Sequence, residues 1–435
     1  MNIFVYIVVA GIIFLASLPL LKKETRTQTA IIKLVLTLVV VIALVGAIYV
    51  FYVPPFYVTI VAVLLAFLLN VKWYTGKGLM ILGGVVVVVG GGVYYVLKPD
   101  PGYVIDHLAK HSESSSFIFA KNGKTLVTYQ AEKRRPLAST VKIILAVEYA
   151  EQIVAGKIDP QQKVSLDEPN RFYLKNTDGG AHSAWLEKME EDNRIDRGKV
   201  TLHDIAKGMI QYSSNANTDY LLNVLGVDLV NERIKKLGLE GHEPLYPIVS
   251  SLLVPNQLKN EDMDENELES LLRNLSNKEY REIALKINKE IQSGELQLSD
   301  LNPDGSPVME RVWSDHLPGA TANDYYKLMV MINEDDTFSD DVEKYLRDLL
   351  EWSMEKSSTN ERFVHFGGKG GSTASVLTQA LYAEDHEGNT YELIMLAENL
   401  SLVQFYDLQG NYSYFLDKVF DDPDYWKEVQ EKLSS

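Results

Sequence analysis

The sequence predicts an α+β protein in two parts. Residues 1–99 form an N-terminal four-helix transmembrane region, and residues 100–435 form an outer domain with an antiparallel sheet flanked by helices plus an all-helical part. Three observations predict it. Four long apolar runs crowd the first hundred residues, helical patterning dominates the middle of the chain, and strand-like segments separated by a turn appear after Phe363.

The apolar runs span about 3–21, 30–52, 56–71 and 78–97, and each approaches the ~20 residues that cross a bilayer. Tyr52, Phe56, Tyr57, Trp73, Tyr74, Tyr94 and Tyr95 cluster at their ends, as interfacial anchors do. Lys22, Lys23 and Arg26 fill the first loop and Lys72 and Lys77 the third, whereas Val53-Pro54-Pro55 is uncharged. Cytoplasmic loops carry the positive charge, so this pattern puts both termini, and with them the larger domain, on the extracytoplasmic side of a multi-pass cell-membrane protein. The charges follow the first run instead of preceding it, which reads against a cleavable signal peptide.

Beyond residue 99 the chain holds 35 Lys/Arg against 58 Asp/Glu, a net charge of −23 that argues against nucleic acid as a partner. There is no cysteine, so disulfides and thiolate chemistry are excluded and packing must supply stability. The eight histidines show no metal-ligand spacing, His316, His365 and His386 read as incidental, and neither a metal nor another cofactor is expected.

The chemistry lies in three short clusters. Ser139-Thr140-Val141-Lys142 opens an apolar helical run, Ile143 to Ala150, with Pro136-Leu137-Ala138 ahead of it. Residues three apart share a helix face, so Lys142 can reach the Ser139 hydroxyl, which needs a neighbouring base to become a nucleophile. Burial would lower the lysine pKa, and a backbone N–H in the first helical turn is free to meet an oxyanion. Taken alone, the tetrad reads more readily as a capping serine and a snorkelling lysine. Ser213-Ser214-Asn215 falls between a helix over Thr201–Tyr212 and a second over Asn217–Gly226, where Ser213 could pass a proton and Asn215 hold an amide; a polar helix–helix turn is the plain alternative. Lys369-Gly370-Gly371 lies in Phe363–Ser372, followed by strands over Thr378–Glu384 and Thr390–Glu398 and the turn Asp385–Asn389. Its glycines let a substrate backbone lie against a strand edge. A phosphate-cradling loop is excluded, because no Gly-Lys-Ser/Thr here opens a helix after a strand.

Together Ser139-x-x-Lys142, Ser213-x-Asn215 and Lys369-Gly370-Gly371 resemble the signatures of the penicillin-recognising serine hydrolases. Thr201–Gly226 and Thr321-Ala322-Asn323-Asp324-Tyr325 resemble the class A beta-lactamase branch in particular, and the similarity runs from about residue 105 to 400. The resemblance implies a beta-lactamase-like domain whose sheet draws on Ser116–Gln130 and the strands after Phe363. It implies that Ser139 is acylated, Lys142 is its base, Ser213 relays the proton and Lys369 shapes the electrostatics. Asn215, Gly371, Ser372 and Thr373 would bind substrate, with the backbone N–H groups of Ser139 and Ser372 as the oxyanion hole. The implied activity is beta-lactam hydrolysis, with a D-alanyl-D-alanine peptidase acting on peptidoglycan-derived peptides as the alternative. A non-hydrolytic beta-lactam sensor is a further alternative, although the chain lacks the His-Glu-x-x-His motif of sensor-transducers.

Three departures qualify the resemblance. Class A enzymes carry a Glu-x-x-x-Asn element that activates the deacylating water, and the corresponding stretch, Glu243 to Asn256, has no such pattern. Gly370 stands where a Thr or Ser usually helps to bind the substrate carboxylate, and no Arg or Lys follows before Leu400. The interval from Ser213 to Lys369 is long, and residues 259–305, acidic with Leu268, Leu271, Leu272 and Leu275 at helical spacing, read as a helical insertion.

Overall fold

A computed structural model describes residues 98–301, 306–333, 337–422 and 424–434. Residues Pro101–Ser435 form one compact unit. Five strands, β1 (Ser115–Lys121), β2 (Lys124–Tyr129), β3 (Phe363–Ser372), β4 (Leu377–Asp385) and β5 (Thr390–Ala397), make an antiparallel sheet in the order β2-β1-β5-β4-β3. β1 and β2 are joined through Asn122-Gly123, both at positive φ, the pairing that a tight two-residue hairpin requires.

The helices include α1 (Tyr103–Lys110), α2 (Lys142–Val154), α3 (Ala181–Glu191), α4 (Leu202–Ile210), α5 (Asn215–Leu225), α6 (Ile248–Leu252), α7 (Glu265–Arg273), α8 (Asn277–Ser293), α9 (Pro307–Asp315), α10 (Ala322–Asn333), α11 (Leu402–Asp421) and α12 (Tyr425–Ser434). The period-two alternation of the strands sorts them into two layers. Phe117, Phe119, Leu393 and Met395 meet Leu108 of α1, Leu408 and Phe415 of α11 and Val429 of α12 on one face. Ile118, Ala380, Tyr382, Ile394 and Leu396 join the helical layer that holds α10 and α2 on the other.

α2 is the pivot of that layer. Every residue from Lys142 to Ala150 is buried, and each apolar side chain among them contributes on the order of 1.5–3 kcal/mol. Start signals are explicit: Thr201 and Asp204 form a reciprocal capping box on α4, and the same Thr–Asp exchange at Thr321 and Asp324 opens α10.

The insertion is helical, α7 and α8, each with its own capping box. Leu268 and Leu272 turn inward to Tyr280, Ile287, Val254 and Met309 and build a third core, whereas Leu271 stays exposed.

The fold class expected from the sequence is corrected in one respect. It included a four-helix transmembrane region, but no helix among the described residues is long and apolar enough to cross a membrane. The described fold is the α+β domain, and the four apolar runs at about 3–21, 30–52, 56–71 and 78–97 lie outside the described residues.

Candidate active site

Ser139 sits in a 3-10 turn, Ala138–Val141, whose last residue leads into α2 at Lys142. The turn is tighter than the α-helical start expected from the tetrad, and Ala138 enters it at φ +46°, a conformation that costs a residue with a Cβ. Contacts across to the sheet hold it there. Thr378 Oγ1 donates to the Leu137 carbonyl at 2.8 Å and accepts from Thr140 Oγ1 at 2.8 Å. The opposing strand comes so close that a Cβ on Gly371 would lie 2.6 Å from the Ser139 nitrogen and 2.5 Å from the Leu137 oxygen. Glycine at 371 is therefore a condition for β3 to dock on the serine turn.

Lys142 has 0% exposure and spends its three donors on the Ser213 carbonyl (2.6 Å), Ser213 Oγ (3.2 Å) and Asn215 Oδ1 (2.9 Å). Burial first, and the neighbouring Lys369 second, push its pKa well below the ordinary lysine value, against the pull of Asp178 and Asp219. That shift favours the neutral amine, the form in which the nitrogen has a lone pair to accept a proton. The Ser139 hydroxyl makes no hydrogen bond among the described residues and faces the cavity.

Ser213 lies in the short link between α4 and α5 at φ +65°. α5 begins at Asn215, two residues earlier than the sequence suggests, because Ser214 rather than Asn217 caps it, accepting from the Asn217 N–H at 3.2 Å. Asn215 thus projects from a first helical turn instead of a loop. Behind the link, His182 of α3 bonds Ser214 Oγ through Nδ1 and Asn170 Oδ1 through Nε2, both at 2.8 Å. Desolvation lowers its pKa to about 4, so the ring stays neutral and fixes the turn without a change of charge.

Lys369 stands in β3 with its ammonium donating to the Gly370 carbonyl at 2.8 Å, and desolvation lowers its pKa to about 8. All three clusters converge on one cavity of about 400 Å³, lined by Ser139, Ser213, Asn215, Lys369, Gly371, Ser372 and Thr373, with Lys142 directly behind it. Of the expected substrate-binding residues, Thr373 is the one whose hydroxyl is already engaged, accepting from Ser314 Oγ at 2.8 Å and from the Ser375 N–H at 3.3 Å.

The cavity also contains groups that sequence reasoning missed: Asp178, Ile248, Glu310, Gln379 and Tyr412. From the stretch where a deacylating Glu was sought, the residue in the cavity wall is Ile248. Glu243 serves elsewhere, accepting from the Gly319 N–H at 3.0 Å and from Asn277 at 3.1 Å. The wall is fixed by Asp219, whose carboxylate accepts from the N–H groups of Ile248 (2.7 Å) and Val249 (2.8 Å) at the start of α6.

A serine hydroxyl at the rim of a cleft, a buried lysine behind it, a second serine bonded to that lysine, and a strand-borne lysine opposite define an acyl-transfer serine hydrolase site. The model of the family described as "Beta-lactamase enzyme family" matches residues 104–401, and the chain belongs to that family as a serine hydrolase. Among solved structures, a beta-lactamase from Sphaerobacter thermophilus DSM 20745 is 16% identical, with 74% of this chain and 98% of that one covered and a TM-score of 0.45. A beta-lactamase from Chitinophaga pinensis DSM 2588 is 12% identical over 72% and 96%, with a TM-score of 0.43. PBP-A is 14% identical over 71% and 94%, with a TM-score of 0.42. No curated protein matches the chain.

Proposed function

We propose that the protein cleaves an amide substrate through an ester of Ser139 that forms readily and hydrolyses slowly, as a penicillin-binding peptidase does. In this reading the neutral Lys142 amine takes the Ser139 proton and the serine oxygen attacks the amide carbonyl. The backbone N–H groups of Ser139 and Ser372 hold the oxyanion. Ser213 returns the proton to the leaving nitrogen, the C–N bond breaks, and water later releases the acid.

The observation that carries the slow second step is Ile248. From the stretch in which a deacylating carboxylate was sought, the residue that lines the cavity is this apolar one, and general-base assistance contributes typically 10²–10⁴-fold. Peptidoglycan-type peptides fit the reading as substrates, and their chemistry goes with an extracytoplasmic site, which is part of the proposal.

Fast beta-lactam hydrolysis is the second reading, supported by Asp178 and Glu310, two carboxylates in the same cavity. A stopped-flow time course with a chromogenic beta-lactam separates the two. A burst of one equivalent followed by slow turnover fits the peptidase reading, and a linear trace of rapid turnover selects hydrolysis.

A further inference from the structure

At one corner of the cavity two uncharged polar side chains have no hydrogen-bond partner among the described residues. Gln379 of β4 pairs across the sheet with Gly370 of β3. Its amide fills the volume a residue-370 side chain would take, since a Cβ there would lie 2.7 Å from both Nε2 and Oε1. That amide has no hydrogen-bond partner among the described residues. Beside it, from α11, the Tyr412 hydroxyl is buried and likewise unpartnered among the described residues. Burial raises its pKa, so it remains a neutral hydroxyl.

Among the described residues the charged group at this corner is Lys369, and its ammonium is already engaged with the Gly370 carbonyl. Over the whole cavity Lys369 is the one cation among the described lining residues, against Asp178 and Glu310. Glu310 reaches the end of β3, where its Oε1 accepts from the Ala374 N–H at 3.1 Å. Past the corner, and sharing Lys369, Gly370, Gln379 and Tyr412 with the cavity, lies a second hollow of about 250 Å³ whose wall includes Ile210, Trp352, Phe366 and Leu416. A substrate that ended in a carboxylate at the corner would have no use for it.

Resting on the acyl-serine reading above, we propose that Gln379 and Tyr412 select a substrate whose leaving portion presents an uncharged amide at this corner, a carboxamide or a continuing peptide bond. A primary amide both donates and accepts, so Gln379 can exchange a reciprocal pair of hydrogen bonds with such a group, while the Tyr412 hydroxyl supplies a third. A carboxylate can only accept. It would leave the Gln379 carbonyl oxygen unpaired. The apolar hollow then receives whatever follows the amide.

The test uses the full chain and two peptides that differ at one end: an N-acyl-D-alanyl-D-alanine and the same peptide ending in D-alaninamide. Release of D-alanine or D-alaninamide is followed by chromatography, and the ratio of the two rates is taken within each variant, so any loss of folded protein cancels. The wild type is expected to release D-alaninamide roughly tenfold faster or more, the discrimination of one well-placed hydrogen-bonding pair. Gln379→Arg, which adds a fork suited to carboxylates, is expected to bring the ratio to unity or reverse it, and Tyr412→Phe to lower it severalfold. Wild-type preference for the carboxylate, or the same ratio in Gln379→Arg, overturns the proposal. Penicillin labelling of Ser139, run in parallel, distinguishes the failures. A label with an unmoved ratio sinks this proposal alone, whereas no label and no amine release sink the acyl-serine reading with it.

Discussion

Gly371→Ala should disable the serine while Gly370→Ala, one residue away on the same strand, should not. A Cβ at 371 meets three backbone atoms of the serine turn: Leu137 O at 2.5 Å, Ser139 N at 2.6 Å and Thr140 N at 2.7 Å. Carbon contacts become favourable near ~3.5 Å, so strand and turn must part by roughly 1 Å. Neither can yield locally, because Thr378 ties both the Leu137 carbonyl and the Thr140 hydroxyl. A misplacement of that size costs on the order of 10²-fold in rate, and the overpacking about 1–3 kcal/mol of stability. At 370 the added Cβ meets the Gln379 side-chain amide, which can rotate away. The assay is the second-order rate of penicillin acylation of the full chain, with thermal unfolding on the same samples. A Gly371→Ala protein that acylates at the wild-type rate with unchanged stability would refute the docking argument, and so would equal losses at 370 and 371.

Acylation by a carboxylate-bearing penicillin should fall on the alkaline side. Lys369 carries its charge below about pH 8 and loses it above, so the rate drops to about a tenth one unit higher. Lys369→Arg holds the charge and should remove that limb, and an unmoved limb in the variant assigns it elsewhere. Asp219 should link stability to pH, because burial raises its pKa to about 7. The folded state then binds its proton more tightly than the unfolded chain, so this contribution is present below about pH 4 and lost as pH rises through 7. Asp219→Asn should flatten that slope in thermal melts and, by turning an NH₂ toward N–H groups it once accepted from, cost about 1–3 kcal/mol at pH 5. A variant with the wild-type slope contradicts it.

What the sequence could show was what is encoded locally. β3 was readable with its bounds because its glycines and the Asp385–Asn389 turn mark it out, and α4 and α10 announce themselves through Thr–Asp caps. The three clusters converge as their motifs imply. The 3-10 character of the serine turn was hidden, since it depends on Thr378 and Gly371, more than 200 residues along the chain. Asp178, His182, Gln379 and Tyr412 carry no local signature. They reach the site through the loop before α3 and the first turn of α3, through the register of β4 against β3 and through the packing of α11 on the sheet, and these exist only once the core has formed. The missing carboxylate was the most informative local absence, and from that stretch the structure brings Ile248 into the cavity lining.

The central claim, that Ser139 is the residue acylated, is tested most directly by intact-mass spectrometry of the full chain with penicillin, followed by peptide mapping. A persistent increment of one penicillin on the peptide that contains Ser139, absent in Ser139→Ala, is the predicted result. An increment that survives in Ser139→Ala, or maps to another residue, would contradict the account.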